Sequence, residues 1–332
     1  VFLSGEGEIN QVKNILHKQN LGNTDVLPLY SRLSWQQQQL IFKRSSKRKI
    51  ILSTNIAETS ITVPGIKYVI DCGQARISRY SYKSRIQRLP IERISKSSAK
   101  QRAGRCGRTE PGVCIRLYTE EDYDLRDEFS EPEITRTNLA TIILTMLGLH
   151  LGEIEDFPFI KSPQIKVIKD GVRLLQQIQA IDDKKKITKI GKTILNFPLD
   201  PQLGVMLYSA NSLNILHSVI IVVANLSIAD VRDRPNEHRD LADVAHKQFA
   251  TQTSDFSSIL LIWKFLIENK SQLSVNKFKK LCHENFISYQ RSIEWLDVYN
   301  QLIDACKSCN WKMDSENEND ELMHISILTG LC

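Results

Sequence analysis

Eight consecutive residues, Gln101-Arg102-Ala103-Gly104-Arg105-Cys106-Gly107-Arg108, bring three arginines and two glycines into one short segment. On a helix, Gln101, Arg105 and Arg108 fall at i, i+4 and i+7 and share a face, while the glycines allow a second backbone to come close. Each glycine costs a helix interior about 1 kcal/mol relative to alanine, so a helix built only for packing gains nothing from two of them. Planar guanidinium groups set along one face can hold the oxygens of a transferring phosphoryl group and offset the charge that develops there.

A second segment, Ser53-Thr54-Asn55-Ile56-Ala57-Glu58-Thr59-Ser60-Ile61-Thr62, follows the apolar run Lys49-Ile50-Ile51-Leu52, and its Asn55 stands 46 residues before Gln101. Hydroxyls and amides crowded at a strand end can bind backbone phosphates and 2′-hydroxyls without reading bases. The same composition also suits an ordinary polar turn; its pairing with the arginine segment favours the binding reading. Between Lys67 and Arg108 there are twelve Lys and Arg against Asp71 and Glu92, a local balance of +10 that exceeds the +6 of the whole chain. Such a block suits nucleic acid or the polyphosphate tail of a nucleotide, the alternative being a solvated basic face.

The elements that must position these groups follow from the apolar pattern. Short apolar runs at Val1-Phe2-Leu3, at 25–29, at 49–52 and at 66–71 alternate with amphipathic segments at 8–19 and 34–42. Strand, helix, strand at this pitch predicts βαβ units on a parallel sheet, where ligands sit at the carboxyl ends of strands. Residues 74–92 interleave Ile77, Tyr80, Tyr82, Ile86 and Leu89 with Arg76, Arg79, Lys83, Arg85 and Arg88, which predicts a protruding basic hairpin. Beyond Glu131-Pro132 the spacing of Leu139, Ile142, Ile143, Met146 and Leu147 predicts a helix. A second helix is expected near 165–178, and a small two-stranded wing over 181–190. The expected division is an α/β domain over 1–130, a winged helix over 131–198, a helical bundle over 199–313, and an acidic linker over 314–321 leading into a further, unfinished domain.

Several features are set aside. Gly191-Lys192-Thr193 resembles the end of a phosphate-binding loop, but Lys186 stands where the first glycine is needed, and the flanks read as wing. Cys306-Lys307-Ser308-Cys309 is a lone Cys-x-x-Cys, and the seven histidines have no ligand spacing, so no metal site is expected. Trp263, Phe265, Trp295 and Tyr299 recur at helical spacings and are expected in the bundle core. Seven cysteines without a framework suit a reducing cytoplasm. The longest apolar run, 219–224, falls far short of the roughly 20 residues of a membrane helix. Val1-Phe2-Leu3 has neither an initiator Met nor a basic leader and is read as the start of a fragment.

Taken together, these motifs resemble those of DEAH-box helicases. Phe2-Leu3-Ser4-Gly5-Glu6 resembles motif IV, Leu27-Pro28-Leu29-Tyr30-Ser31 through Phe42 motif IVa, 53–62 motif V and 101–108 motif VI. Residues 73–90 and Val63-Pro64-Gly65-Ile66-Lys67-Tyr68 look most like bacterial HrpA-type RNA helicases. The resemblance implies a RecA-like second motor domain, a winged helix and a ratchet-type bundle from an ATP-dependent 3′-to-5′ RNA helicase. It implies that Gln101, Arg105 and Arg108 contact ATP phosphates with Arg105 as the finger, that Phe42 stacks on adenine, and that Thr62 couples RNA to nucleotide. Ser4, Gly5, Ser31, Arg32, Thr54 and Asn55 would hold RNA, and Arg79, Tyr80, Tyr82, Lys83 and Arg85 would form a strand-separating hairpin. Pro64 replaces an Asp that many eukaryotic members direct at the ribose. Neither a Gly-x-x-x-x-Gly-Lys-Ser/Thr loop nor an Asp-Glu-Ala-His box is present, so Mg²⁺ would be held by an absent first RecA-like domain, the intramolecular partner, and the chain alone is expected to be inactive. Single-stranded RNA, or a duplex with a single-stranded tail, is the implied partner, with a ribosome or ribonucleoprotein as setting and no membrane. The rival reading is a non-catalytic nucleic-acid-binding module in which the winged helix and basic hairpin bind duplex and the arginines are phosphate clamps.

Overall fold

The computed structural model describes residues 1–331 except 20, 32, 34, 44, 82–85, 108–110, 236–237, 252–253 and 314–318, and omits the side chains of 35, 36 and 86. Arg32, Tyr82, Lys83, Arg85 and Arg108 therefore lie outside the described residues. The chain divides into two compact units, one of residues 1–138 with 161–163, the other of 139–160 with 164–332.

The first unit is built on a parallel sheet. β1 (Thr24–Leu29) pairs with β2 (Arg48–Ser53), and β3 (Tyr68–Asp71) with β8 (Val113–Arg116), each in parallel. Residues 1–3 join the two pairs: Phe2 bridges both Ser53 and Asp71, donating its N–H to Ile70 O at 2.8 Å, while Leu3 N–H reaches Ser53 O at 2.8 Å. Helix α1 (Glu6–Lys18) opens with Glu6 and Glu8 and closes with His17 and Lys18, charges that complement its dipole. Its Ile9, Val12 and Leu16 cover Leu3 and Leu52. α2 (Trp35–Gln39) and α3 (Ile56–Thr59) are short, and the helix expected over 34–42 is reduced to the five residues of α2.

The hairpin is present as two successive antiparallel pairs. β4 (Gln74–Arg76) pairs with β7 (Ile91–Arg93) at its base, and β5 (Arg79–Ser81) with β6 (Ile86–Arg88) further out. α4 (Lys96–Ala103) follows, capped by the Ser95 hydroxyl, which accepts from Ser98 N–H at 3.2 Å. α5 (Glu120–Asp124) completes the unit. Pro132 introduces only a 3-10 turn over Glu133–Thr135, and the helix expected to open near it begins at Ala140.

The second unit is helical: α6 (Ala140–Gly148), α7 (Ile165–Gln177), α8 (Lys189–Ile194), α9 (Pro201–Ser212), α10 (Leu216–Leu226), α11 (Arg239–His246), α12 (Asp255–Gln272), α13 (Val275–Glu284), α14 (Tyr289–Ser308) and α15 (Asp320–Leu331). α10 is its axis, since every residue from Ser218 to Asn225 is buried. Trp295, fully buried, donates its indole N–H to Ile221 O at 2.9 Å and meets Trp263 edge-on at 5.0 Å. Trp263 also stacks obliquely on Tyr299 at 4.6 Å, and Phe265 packs on Phe249 at 5.2 Å, so the aromatic positions are core. None of the helices described is long and apolar enough to cross a membrane.

Three expectations need correction. The wing over 181–190 is a single bridge, Ile181 to Ile187, closed by a turn in which Asp182 accepts from Lys184 N–H at 2.9 Å and Lys186 N–H at 2.8 Å. α8 then begins at Lys189, and a side chain at Gly191 would press within 2.1 Å of Ala180 O, so Gly191-Lys192-Thr193 is a packed helix start and not a phosphate loop. Of the expected winged helix, 131–138 and 161–163 fall in the first unit, while the rest shares one compact unit with the bundle, where Gly204 lets α9 sit directly on Ile194.

The third concerns the terminal element, expected to open a further domain. α15 instead belongs to this unit: Met323 and Ile327 are in its core, and a Cβ at Gly330 would stand 2.3 Å from Gln202 O on α9. Truncating Ile327 to alanine should therefore cost about 2–5 kcal/mol, read as a lowered denaturation midpoint of the helical unit. A loosely attached start of another domain would instead show a change within about 0.5 kcal/mol.

Candidate phosphate and nucleic-acid site

The carboxyl ends of the parallel strands gather the residues expected to hold a nucleic-acid backbone. Residues 1–3 deliver Ser4 and Gly5, β1 delivers Ser31, and β2 delivers Thr54 and Asn55. The register pairs Leu29 with Ser53, and Thr54 N–H donates to Leu29 O at 3.1 Å, so these ends lie side by side. Asn55 and Ser31 are exposed and Thr54 is half-buried. Ser4 differs from expectation. It is buried, and Glu8 accepts from both its N–H and its hydroxyl at 2.7 Å, so its side chain fastens the start of α1 and does not face outward. Gly5 faces Arg76, whose Nε would lie 2.7 Å from an added Cβ; Arg76 thus brings a cation to this edge that spacing alone did not single out. The neighbouring Tyr30 hydroxyl is pushed up to about 12 by burial and by the nearby Glu6 carboxylate.

The arginine segment departs from the expected helical face. α4 stops at Ala103, and Gly104 and Arg105 form a turn in which Arg105 N–H bonds Arg102 O at 3.1 Å and Cys106 N–H bonds Ala103 O at 3.3 Å. The Cys106 thiol also donates to Ala103 O at 3.0 Å, satisfying a carbonyl that the ending helix leaves over. Gln101 is exposed on the helix, whereas Arg105 lies half-buried in the turn and donates from its guanidinium to the backbone carbonyl of Glu58. Gly112 is the glycine that close approach requires: a Cβ there would stand 2.1 Å from Cys106 O, where the chain returns towards β8. Phe42 lies 39% exposed in the turn after α2, and Thr62 is exposed beyond α3.

Arg102 is the residue that the sequence reading passed over. It is completely buried, with Nη1 donating to Asp71 at 2.7 Å and to Gln74 O at 3.2 Å, and Nε donating to Glu58 at 2.9 Å. The Phe2 ring covers its guanidinium carbon at 4.7 Å, and Nη2 has no hydrogen-bond partner among the described residues. Asp71, also fully buried, accepts in addition from Gly73 N–H at 2.9 Å and from the Tyr118 hydroxyl at 3.0 Å. Burial, followed by the Asp71 charge, pushes the Tyr118 hydroxyl up, so it stays a proton donor. The two arginines of one turn thus hold the four-residue helix α3 by a side chain and by a carbonyl. A charged residue with no solvent of its own is the signal that could have revealed Arg102, but only once Asp71 and Glu58 are known to converge on it.

Residues 1–110, which hold the strand ends, α3, α4 and the arginine turn, match the helicase conserved C-terminal domain, and residues 171–199 match the helicase associated domain (HA2), winged-helix. All of the chain aligns at 45% identity with an ATP-dependent RNA helicase HrpA homolog of Haemophilus influenzae, and at 46% with the ATP-dependent RNA helicase HrpA of Escherichia coli. The chain belongs to the DEAH-box helicases. It spans about a quarter, 26%, of the length of each of those relatives. The human ATP-dependent RNA helicase DHX33 is 33% identical over 92% of this chain and 44% of its own length. The match over 1–110 makes the α/β part of the chain a RecA-like second domain, followed by a helical HA2 region.

Among the described residues no three His, Cys, Asp or Glu side chains converge on a metal-sized site. Burial pushes the Cys306 thiol up to about 12, which works against a thiolate ligand at Cys306-x-x-Cys309. The chemistry this site offers is cationic and hydrogen-bond donating. Replacing Arg102 with methionine should leave Asp71 and Glu58 facing each other without a counter-charge, destabilising the first unit by about 3–5 kcal/mol in chemical denaturation. Arg105→Ala, which removes a half-buried side chain that donates to the Glu58 carbonyl, should cost about 1 kcal/mol in the same measurement.

Proposed function

We propose that this chain is the second motor domain and the accessory helical part of an ATP-dependent 3′-to-5′ RNA helicase, coupling ATP hydrolysis to movement along single-stranded RNA and to duplex unwinding. The observation that carries the proposal is the joining of the strand-end groups at Thr54 and Asn55 to the arginine turn through α3, with Arg105 bonded to Glu58 O. A passive phosphate clamp has no need of that tie. The relatives that span the chain from end to end, and carry the name ATP-dependent RNA helicase, support the same reading.

On this reading Gln101, Arg105 and Arg108 hold phosphate oxygens, Arg105 offsets the charge that grows during transfer, and Phe42 lies against the base. ATP supplies the phosphoryl group and a divalent cation, Mg²⁺, supplies counter-charge; that ion would be held by the rest of the protein, the described part of this chain having no ligand set for it. Thr54 and Asn55 hold RNA phosphates or 2′-hydroxyls, joined by Gly5, Ser31 and Arg32. Arg76, adjoining Gly5, adds charge to that edge. Thr62, beyond α3, couples the two sites. The HA2 region serves as winged helix and the helices beyond it as a ratchet that limits backward slip.

The hairpin acts as the wedge, with Tyr80 and Tyr82 against the terminal base pair and Lys83 and Arg85 on the departing strand. Arg79 does not contact the strand on this reading, because Glu92 and Glu131 already hold its guanidinium.

Two experiments on the full-length protein test the proposal. Arg105→Ala should lower RNA-stimulated ATP hydrolysis by about 10³-fold or more while RNA affinity without nucleotide stays nearly unchanged. Loss of affinity with retained turnover would favour the non-catalytic binding module. Exchanging residues 82–85 for a short Gly-Ser turn should remove duplex unwinding and leave single-strand-stimulated ATPase within about threefold, since each stacked base is worth about 1–3 kcal/mol to separation and nothing to phosphoryl transfer. A parallel loss of both, restored by excess RNA, would make the hairpin an electrostatic anchor only.

A further inference from the structure

A two-stranded ribbon is marginally stable by itself, and this one is interrupted midway. Pro90 has no N–H, so the ladder between β4–β7 and β5–β6 cannot run through it; the gap keeps the backbone bond from Ile77 N–H to Pro90 O, at 3.1 Å, with Arg76 Nη1 donating to Leu89 O at 3.3 Å and Gln87 Nε2 to the Ser78 hydroxyl. Without other contacts the outer pair would swing about this joint and could not transmit force to a base pair.

The joint is where the hairpin's ion pairs are placed. Arg79, the first residue of β5, donates from Nε to Glu92 Oε1 at 2.9 Å and from Nη2 to Oε2 at 2.8 Å, a two-pronged bond from the outer pair to β7 of the inner pair. Its Nη1 donates to Glu131, on the segment that follows α5. That segment runs alongside β5: Tyr80 N–H donates to Arg136 O at 2.8 Å, Arg136 Nη1 to Ser78 O at 3.1 Å, and Arg136 Nε to Glu131 O at 3.4 Å. Lys161 stands 3.9 Å from the other Glu131 oxygen. The Arg79 bonds hold both carboxyl groups below the usual carboxylate range, so both stay charged at neutral pH. Isolated surface ion pairs add little to fold stability. A forked guanidinium bond fixes orientation as well as distance, and orientation is what the joint lacks.

We infer that Arg79, with Glu92, Glu131 and the Arg136 backbone, is a positioning device that locks the outer hairpin at a fixed angle to the motor domain. Its use rests on the proposed strand-separating role of the tip; its existence does not. Two measurements on the full-length protein separate them. In Glu92→Gln/Glu131→Gln, hydrogen exchange of the amides in β5 and β6 should quicken by about tenfold or more while exchange in β1 and β2 is unchanged. The same variant should unwind duplex RNA about tenfold more slowly, with single-strand-stimulated ATPase within about twofold of normal. Unaltered exchange in β5 and β6 overturns the inference whatever unwinding does. Quickened exchange with normal unwinding supports the lock and overturns its use in strand separation; if the 82–85 exchange variant unwinds normally as well, the wedge reading has failed. Equal losses of unwinding and ATPase overturn it in favour of a general folding defect.

Discussion

A guanidinium sealed from solvent sets the form of the first unit. Removing the charge of Arg102 from water is costly, and the cost is offset only if carboxylates are held in place around it with their remaining lone pairs also satisfied. Asp71 comes from the end of β3, Glu58 from α3, and the Phe2 ring from the central strand segment. Three elements that are distant in sequence are thereby brought to fixed distances from α4. The sheet would pair without this, since its ladder is backbone; what the buried charges add is the placement of a helix end against a strand end. Asp71 shows how completely it is used: it accepts from an arginine, a tyrosine and a backbone amide at once.

This explains which parts of the unit could be foreseen from sequence. Apolar runs such as 49–52 announce strands because alternation and β-branching are local properties, and α1 announces itself by its period and its end charges. The aromatic positions Trp263 and Trp295 read correctly as core for the same reason. The end of α4 could not be read this way. Helical spacing places Gln101, Arg105 and Arg108 on one face, but whether the helix continues depends on Cys106 turning back to Ala103 O and on Gly112 passing within contact of Cys106 O. Both depend on the path that the chain takes on leaving the helix, which helical spacing does not encode. Ser4 misled for a similar reason, its hydroxyl being available or occupied according to where Glu8 points. The terminal segment misled because a short apolar run looks the same whether it begins a new core or completes an old one; Met323 and Ile327 do the latter.

Charge composition misled in a more instructive way. The basic excess over residues 67–108 is a property of the whole block, and it draws attention to the cations. At least four of its cations are paired within the protein. Arg102 is held by Asp71 and Glu58, Arg79 by Glu92 and Glu131, Arg93 by Asp122 and Lys100 by Glu128, so the acidic residues decide which cations remain for a polyanion. A count of positive residues therefore overstates the phosphate-binding capacity of such a block, and the corrected list is read from pairing, not from sign.

The short helix α3 joins these threads. It is four residues long and links Asn55, at the strand end, to Glu58, which Arg102 holds by its carboxylate and Arg105 by its carbonyl. A single turn fixed at both ends has little freedom to bend, and a shift of the strand-end groups must either carry the arginine turn with it or break a buried ion pair, the costlier outcome. On the proposed reading, this makes the RNA-holding edge and the finger arginine one mechanical piece. Such a piece cannot alternate between tight and loose grip by internal rearrangement. The change of grip during a cycle must then come from what the piece faces, with nucleotide stabilising one arrangement of the two motor domains over another by its unequal contacts in the two states. The braced hairpin follows the same logic: a wedge fixed to a rigid body converts the displacement of that body into separation of strands, whereas a wedge on a hinge would absorb it.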